Sequence, residues 1–308
     1  MEILRDETVG IWFVKPSDEE RELKPPYLEA LPRYLTALDS IFAKATVRDE
    51  AQLILSLLGV RGMQDEGWEP YDTTVEAIAV ATRLHNETED SLAARHLSLW
   101  IYGHIVEAAA PYDLLANLVK VAQGERARIT WLPDERGRAL SPGRKIELIG
   151  SWAEEIGNQC ASYLLNGIWN RELRNSVFHA DYTLHSSEIR LIGSGKVVTL
   201  EEFGELSGRA HAFHDAMIGL RRFYRGLYTE PKRVPAGPIS GVPDEDLIVI
   251  VRDGDGAVGL KDALTPVERA SGGIPFRYAK LFPDEIRMLE ADPYLAKLPA
   301  RPKGEGSA

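Results

Sequence analysis

The stretch Arg171-Glu172-Leu173-Arg174-Asn175-Ser176-Val177-Phe178-His179-Ala180-Asp181-Tyr182 gathers an Arg, an Asn, a His, an Asp and a Tyr within nine positions. A histidine can move a proton near neutral pH, and an arginine presents a fork of N–H donors to an anion. A carboxylate beside the histidine, here Asp181, can orient its ring. At about 100° per residue, Asn175 and His179 share one helix face, while Arg174 and His179 diverge by roughly 140°. One isolated helix does not bring those two onto a single atom. A second surface closing over the helix, such as a symmetry mate, would. Asp181 and Tyr182 fall just past the helix end and are candidates for binding or orienting a substrate. The same residues also suit a purely architectural role. Asn175, His179 and Asp181 can cap and pin a helix–strand junction, with Arg174 paired to a buried acid.

Other polar clusters carry less chemistry. His104 and Glu107 are an i, i+3 pair of the kind that helical bundles use for metals. No second such pair is visible, so a buried polar cluster is expected, near His179 and able to bind or orient a substrate there. His211 and His214 are also three apart, but a third ligand is missing. Asp253-Gly254-Asp255-Gly256 starts like a calcium loop, yet the closing acid would fall at Thr265 or its neighbours, so it reads as a hairpin turn. No Gly-x-Ser-x-Gly elbow, dinucleotide fingerprint, kinase set or P-loop is present. Neither a metal nor a cofactor is expected.

Composition narrows the class further. The 308 residues are 44% hydrophobic and 27% charged, as in an ordinary globular protein. No apolar run is long enough to span a membrane, and the N-terminus lacks a signal-peptide pattern. The single cysteine, Cys160, has no internal disulfide partner. A reducing cytoplasm is the expected location. The net charge of −11 argues against non-specific coating of nucleic acid, which depends on neutralising many phosphates. Residues 171–233 nevertheless hold ten basic against eight acidic groups, so a local anionic ligand is permitted.

These residues must be positioned by helices. After an edge strand over Thr8–Val14, the spacing of Leu28, Leu31, Leu35, Leu38 and Phe42 predicts an amphipathic helix in which Pro32 marks a kink or a later start. Helices follow over 47–58, from a capping sequence at Thr73-Thr74-Val75-Glu76 to about His85, over 91–110 and over 112–123. Loops over 60–71 and 124–143 separate them. Helices over 144–157 and 159–179 come next, the second leading straight into the motif. A hairpin of Thr183–Ile192 with Lys196–Leu200 and a helix over 200–227 complete the bundle. The Pro/Gly-rich segment 230–243 reads as a linker, followed by a strand over Asp246–Arg252, a partner strand over 257–261 and a helix over 283–291. The implied division is an N-terminal extension (1–25), a helical domain (26–229), the linker, a small C-terminal subdomain (244–299) of α+β or irregular structure, and a disordered tail (300–308).

Arg174-Asn175-Ser176-Val177-Phe178-His179 resembles the Arg-(Asn/Asp)-x-x-x-His signature of HEPN domains, the helical "higher eukaryotes and prokaryotes nucleotide-binding" family. Arg174 and His179 match the two signature positions and Asn175 the polar one. The extension His179-Ala180-Asp181-Tyr182 is also similar to the residues beyond the signature in many bacterial members. The resemblance covers roughly residues 90–230. It implies a mainly α, HEPN-like bundle with a short β-hairpin after the motif helix. It also implies a homodimer with the motif helix at or beside the interface, and RNA or a nucleotide as ligand. The activity implied is that of a metal-independent endoribonuclease, acting in RNA turnover, toxin-type growth control or phage defence. Its products would be a 2′,3′-cyclic phosphate and a 5′-hydroxyl. Arg174, His179 and Asn175 would be the catalytic residues. The alternative that the family also allows is a non-catalytic homodimeric module that binds a nucleotide or a protein.

Overall fold

The computed structural model describes residues 2–17, 25–58, 70–127, 134, 138–235 and 246–262. Among them the chain is mainly helical, with three small sheets in which every strand pairing is antiparallel. The spine is a pair of long helices, α1 (Pro25–Arg48) and α9 (Leu200–Gly226), lying side by side in the same direction. Tyr34 meets Phe213 edge-on at 6.0 Å, and Phe42 stacks on Tyr224 at 4.9 Å. The i, i+3, i+4 stripe of α1 is buried, as its spacing predicts. Pro32 sits inside α1, which starts upstream of it at Pro25. Helix α9 begins at a capping box: the Thr199 hydroxyl accepts from the Glu202 N–H, and the Glu202 carboxylate accepts from the Thr199 N–H.

Around this spine stand α2 (Glu50–Leu57), α3 (Pro70–Glu87), α4 (Ser91–Glu107), α5 (Ala109–Gln123), α6 (Pro142–Glu155), α7 (Gln159–Asn166) and α8 (Arg171–Phe178). Helix α3 starts at Pro70, so Thr73 and Thr74 lie inside it and do not precede it. The helix expected over 91–110 ends three residues early, with a break at Ala108. The cause is Pro111. In a continuous helix its ring would collide with the carbonyl of Glu107, whereas in the first turn of a new helix it costs no hydrogen bond. A larger correction concerns 159–179, which is two helices. The chain leaves α7 at Gly167 and restarts at Asn170, whose side chain accepts from the Leu173 N–H at 3.0 Å. The buried Tyr102 hydroxyl pins the break, donating to the Ile168 carbonyl and accepting from the Asn170 N–H.

The N-terminus forms a hairpin of β1 (Glu2–Asp6) and β2 (Ile11–Lys15) that packs on α1 and α9 through Trp12, whose backbone N–H donates to the Thr36 hydroxyl and whose ring meets Phe223 at 5.2 Å. Arg5 and the Tyr224 hydroxyl both donate to the buried Asp39 carboxylate. After α8 the expected two-stranded hairpin is a three-stranded sheet, β3 (Tyr182–Leu184), β4 (Glu188–Leu191) and β5 (Lys196–Thr199), because the chain turns once more at His185. The last described sheet, β6 (Arg233–Pro235), β7 (Asp246–Arg252) and β8 (Gly256–Asp262), includes both strands expected after the linker and one strand within it. It packs on α2 and the end of α9 through Ala51, Ile54, Tyr228, Val234, Val249 and Ala257. The helix expected over 283–291, the tail over 300–308 and most of the two expected loops lie outside the described residues.

Candidate functional site

The stretch Arg174–His179 occupies the short helix α8 and the turn after it, at the corner where α4, α8 and β3 meet. Its approach to α4 depends on Gly103. A Cβ there would stand 3.2 Å from the Phe178 ring and 3.3 Å from the Val177 side chain, tighter than ordinary contact. Packing against a bare backbone brings α8 close enough for Arg174 to reach the end of α4. Its Nε donates to Glu107 Oε2 at 2.6 Å, and a second guanidinium nitrogen lies 2.5 Å from Glu107 Oε1. This is a bidentate pair, the strong geometry for Arg and a carboxylate. The remaining nitrogen donates to Asn175 Oδ1 at 2.8 Å, and the guanidinium lies 5.3 Å from the centre of the Phe178 ring. The pair is half-buried, with the side chains 23% and 36% exposed. Glu107 sits at the C-terminal end of α4, where the helix dipole disfavours an anion, and Arg174 compensates it.

His179 caps α8. Its backbone N–H donates to the Asn175 carbonyl, and its exposed side chain makes no hydrogen bond, ion pair or ring contact among the described residues. The chain then closes the helix with Ala180 at φ 52°, in the left-handed region. The Ala180 N–H donates to Val177 O and the Asp181 N–H to Ser176 O, a double closure that normally uses glycine. Asp181 is directed to the β4–β5 turn. A Cβ on Gly193 would be 2.6 Å from its Oδ2, so only glycine lets the carboxylate lie there. No hydrogen bond joins Asp181 to His179, and none joins His179 to Arg174. Within one chain the two signature side chains share a corner without sharing a ligand.

The neighbouring candidates line up along α4. His104 stacks on Trp100 with ring centres 3.6 Å apart, holds the Trp100 carbonyl through Nδ1 at 3.0 Å, and lies 5.5 Å from Phe178. Tyr182 exchanges a 2.9 Å hydrogen bond with His96 Nδ1, and burial raises its pKa. His104 and Glu107 reach the motif helix through Phe178 and Arg174; both are partly exposed, and no hydrogen bond, ion pair or ring contact joins either to His179 among the described residues. His96 is an addition to the expected set, although His96, Trp100 and His104 recur every four residues and so share one helix face. That face borders a groove of about 940 Å³ between α3 and α4, walled by Ala77, Val80, Leu84, Leu97 and Val177.

His211 and His214 are elsewhere, in a second cleft between α3 and α9 that Glu87, Arg83 and Asp215 also line. His211 Nδ1 bonds the Ser207 carbonyl, and Tyr27 donates to Asp215 at 2.7 Å. His214 is 6% exposed, and burial is the main cause of its lowered pKa, with His211 adding to it and Asp215 opposing it. No three His, Cys, Asp or Glu side chains are grouped to hold a metal ion among the described residues. No helix there is long and apolar enough to cross a membrane. Comparison with protein-family models, with curated proteins and with solved structures finds no match to this chain.

Proposed function

We propose that this is a HEPN-like, metal-independent endoribonuclease whose site is built on Arg174 and His179. The observation that carries the reading is the state of His179: an exposed histidine at the end of the helix that carries the half-buried Arg174, its side chain making no hydrogen bond, ion pair or ring contact among the described residues. An exposed histidine whose ring is not held by a hydrogen bond or ion pair is available to a ligand. In the proposed reaction the ribose 2′-oxygen attacks phosphorus and the P–O5′ bond breaks, leaving a 2′,3′-cyclic phosphate and a 5′-hydroxyl. His179 transfers a proton to or from the reacting oxygens, and Arg174 meets the charge growing on the phosphoryl oxygens. Asn175 holds the guanidinium in place. A second copy of the chain, paired across a two-fold axis at this corner, would bring a His179 and an Arg174 onto one phosphate.

The test is cleavage of cellular RNA in EDTA by the wild-type chain, Arg174→Ala and His179→Ala. Loss in both variants, with cyclic-phosphate ends in the wild-type products, supports the assignment. Cleavage that persists in both removes these residues from the mechanism. One observation favours the second reading, a non-catalytic homodimeric module that binds a nucleotide or a protein. Glu107 already satisfies two guanidinium donors of Arg174, so a phosphate must compete with it. Thermal stabilisation by a nucleotide panel without RNA consumption would favour that module.

A further inference from the structure

We propose that Trp100, His104 and Phe178 form a base-stacking platform for single-stranded RNA, with an unpaired base entering the groove between α3 and α4. The proposal rests on the ribonuclease reading and adds to it the form of the substrate. Three rings form a ladder: Trp100 stacked on His104 at 3.6 Å and 26°, then His104 tilted against Phe178 at 5.5 Å and 47°. The ladder ends at the Arg174 guanidinium, 5.3 Å from the Phe178 ring centre. It therefore runs from the groove, at Trp100, toward Arg174, so a strand whose base stacks at the groove end would lead its backbone toward the guanidinium.

The rings at its two ends are not part of the core. Trp100 is 38% and Phe178 41% exposed, on a face where the helices are already packed on their inner side. Ordered rings left in water cost hydrophobic free energy that a stacked partner recovers. The His104 ring is fixed by its bond to the Trp100 carbonyl, so one side of the indole is covered while its remaining surface borders the groove. Groove walls such as Val80, Leu97 and Val177 can cover the second face of a flat ring. The His96–Tyr182 pair and Thr73 supply hydrogen-bonding groups for its edge. Flat, aromatic and edge-polar describes a nucleobase. Aromatic platforms bind bases that are already unstacked, since a duplex keeps its base faces inside. The acidic net charge agrees with binding that depends on stacking more than on phosphate neutralisation.

The test uses a fluorescein-labelled, fully 2′-fluoro-substituted oligonucleotide of mixed sequence, which has no 2′-hydroxyl to attack, read by anisotropy as a single strand and as a duplex. The wild-type chain is expected to bind the single strand more tightly than the duplex. Trp100→Leu should weaken single-strand binding by about tenfold, and Trp100→Phe should retain most of it. Phe178→Leu, at the far end of the ladder, gives an independent reading if Trp100→Leu melts at a lower temperature than wild type. Equal binding of single strand and duplex, or Leu variants that bind like wild type, would overturn the platform. Cleavage that needs Arg174 but ignores both Leu variants removes the platform and leaves the ribonuclease. Ring-dependent binding without any cleavage keeps the platform and removes the catalysis. Failure of the wild-type chain to bind either form would overturn both.

Discussion

Arg174 is shared between its own helix and its proposed ligand. The carboxylate that neutralises it, Glu107, is half-exposed, and pairs of that kind contribute up to about 1 kcal/mol. Glu107→Gln is therefore expected to lower stability by no more than about 1 kcal/mol while tightening the binding of an anionic strand, because the guanidinium charge is then no longer neutralised. Urea unfolding and anisotropy read the two effects separately. Weaker binding in this variant would mean that Glu107 positions the arginine for its ligand and does not compete with it. Ala180 offers a second residue-level test. At φ 52° its Cβ meets the strain that L-residues have in the left-handed region, about 1–2 kcal/mol. Glycine removes that strain but loses more chain entropy on folding, by about 0.5–1 kcal/mol. Ala180→Gly should stabilise the chain by a net of about 0.5 kcal/mol, seen as a higher urea midpoint with an unchanged slope. An unchanged or lower midpoint would show that the turn carries no strain.

At the scale of elements, apolar periodicity made the long helices legible, because the stripe of α1 and that of α9 are the faces these helices bury on each other. The restart at Asn170 was not legible. It depends on the hydroxyl of Tyr102, 68 positions away, and nothing local but Gly167 and Asn170 signals it. The approach of α8 to α4 was hidden for the same reason, since Gly103 has a meaning only once Val177 and Phe178 are opposite it. That contact yields a prediction. Gly103→Val should push α8 off α4, lowering stability by about 1–3 kcal/mol and weakening the Arg174–Glu107 pair, as read by urea unfolding and by RNA binding. Between α3 and α9, His214 gives a pH dependence. Burial lowers its folded-state pKa below the ordinary histidine value of 6.5, so the unfolded chain takes up this proton first. Its stabilising contribution is complete above about pH 6.5 and falls as the pH drops below that value. The other titratable groups in that cleft are His211, Asp215, Glu87 and Arg83. His214→Gln should flatten the slope of stability against pH below 6.5, measured by urea unfolding at stepped pH. A slope equal to that of wild type would assign the pH dependence to other groups.

For the whole molecule, the residues that could do chemistry were legible as a cluster, but their assembly was not. The pairing of Arg174 with a residue 67 positions earlier, and the isolation of His179, are properties of the packed bundle. They bear directly on oligomeric state. If Arg174 and His179 act on one phosphate, a second chain is one way to complete the site, because no hydrogen bond joins the two side chains and Arg174 is turned toward Glu107. A two-fold pairing at this corner would set the exposed Phe178 ring against a second copy, leave the groove side of Trp100 open, and carry each His179 toward the other chain's Arg174. Such pairing uses the same patch on both partners, so a charge placed at its centre appears twice across the interface and repels itself. Sedimentation velocity at micromolar concentration is therefore expected to give a dimer of the 34.3 kDa chain, and Phe178→Glu a monomer. Activity should fall with the dimer, and mixing inactive Arg174→Ala with inactive His179→Ala should restore part of it, since one of the two composite sites in a mixed dimer keeps both wild-type residues. A wild-type monomer that cleaves RNA at full rate would end the composite-site argument, and a dimer whose mixed variants stay inactive would place both residues of each site in one chain.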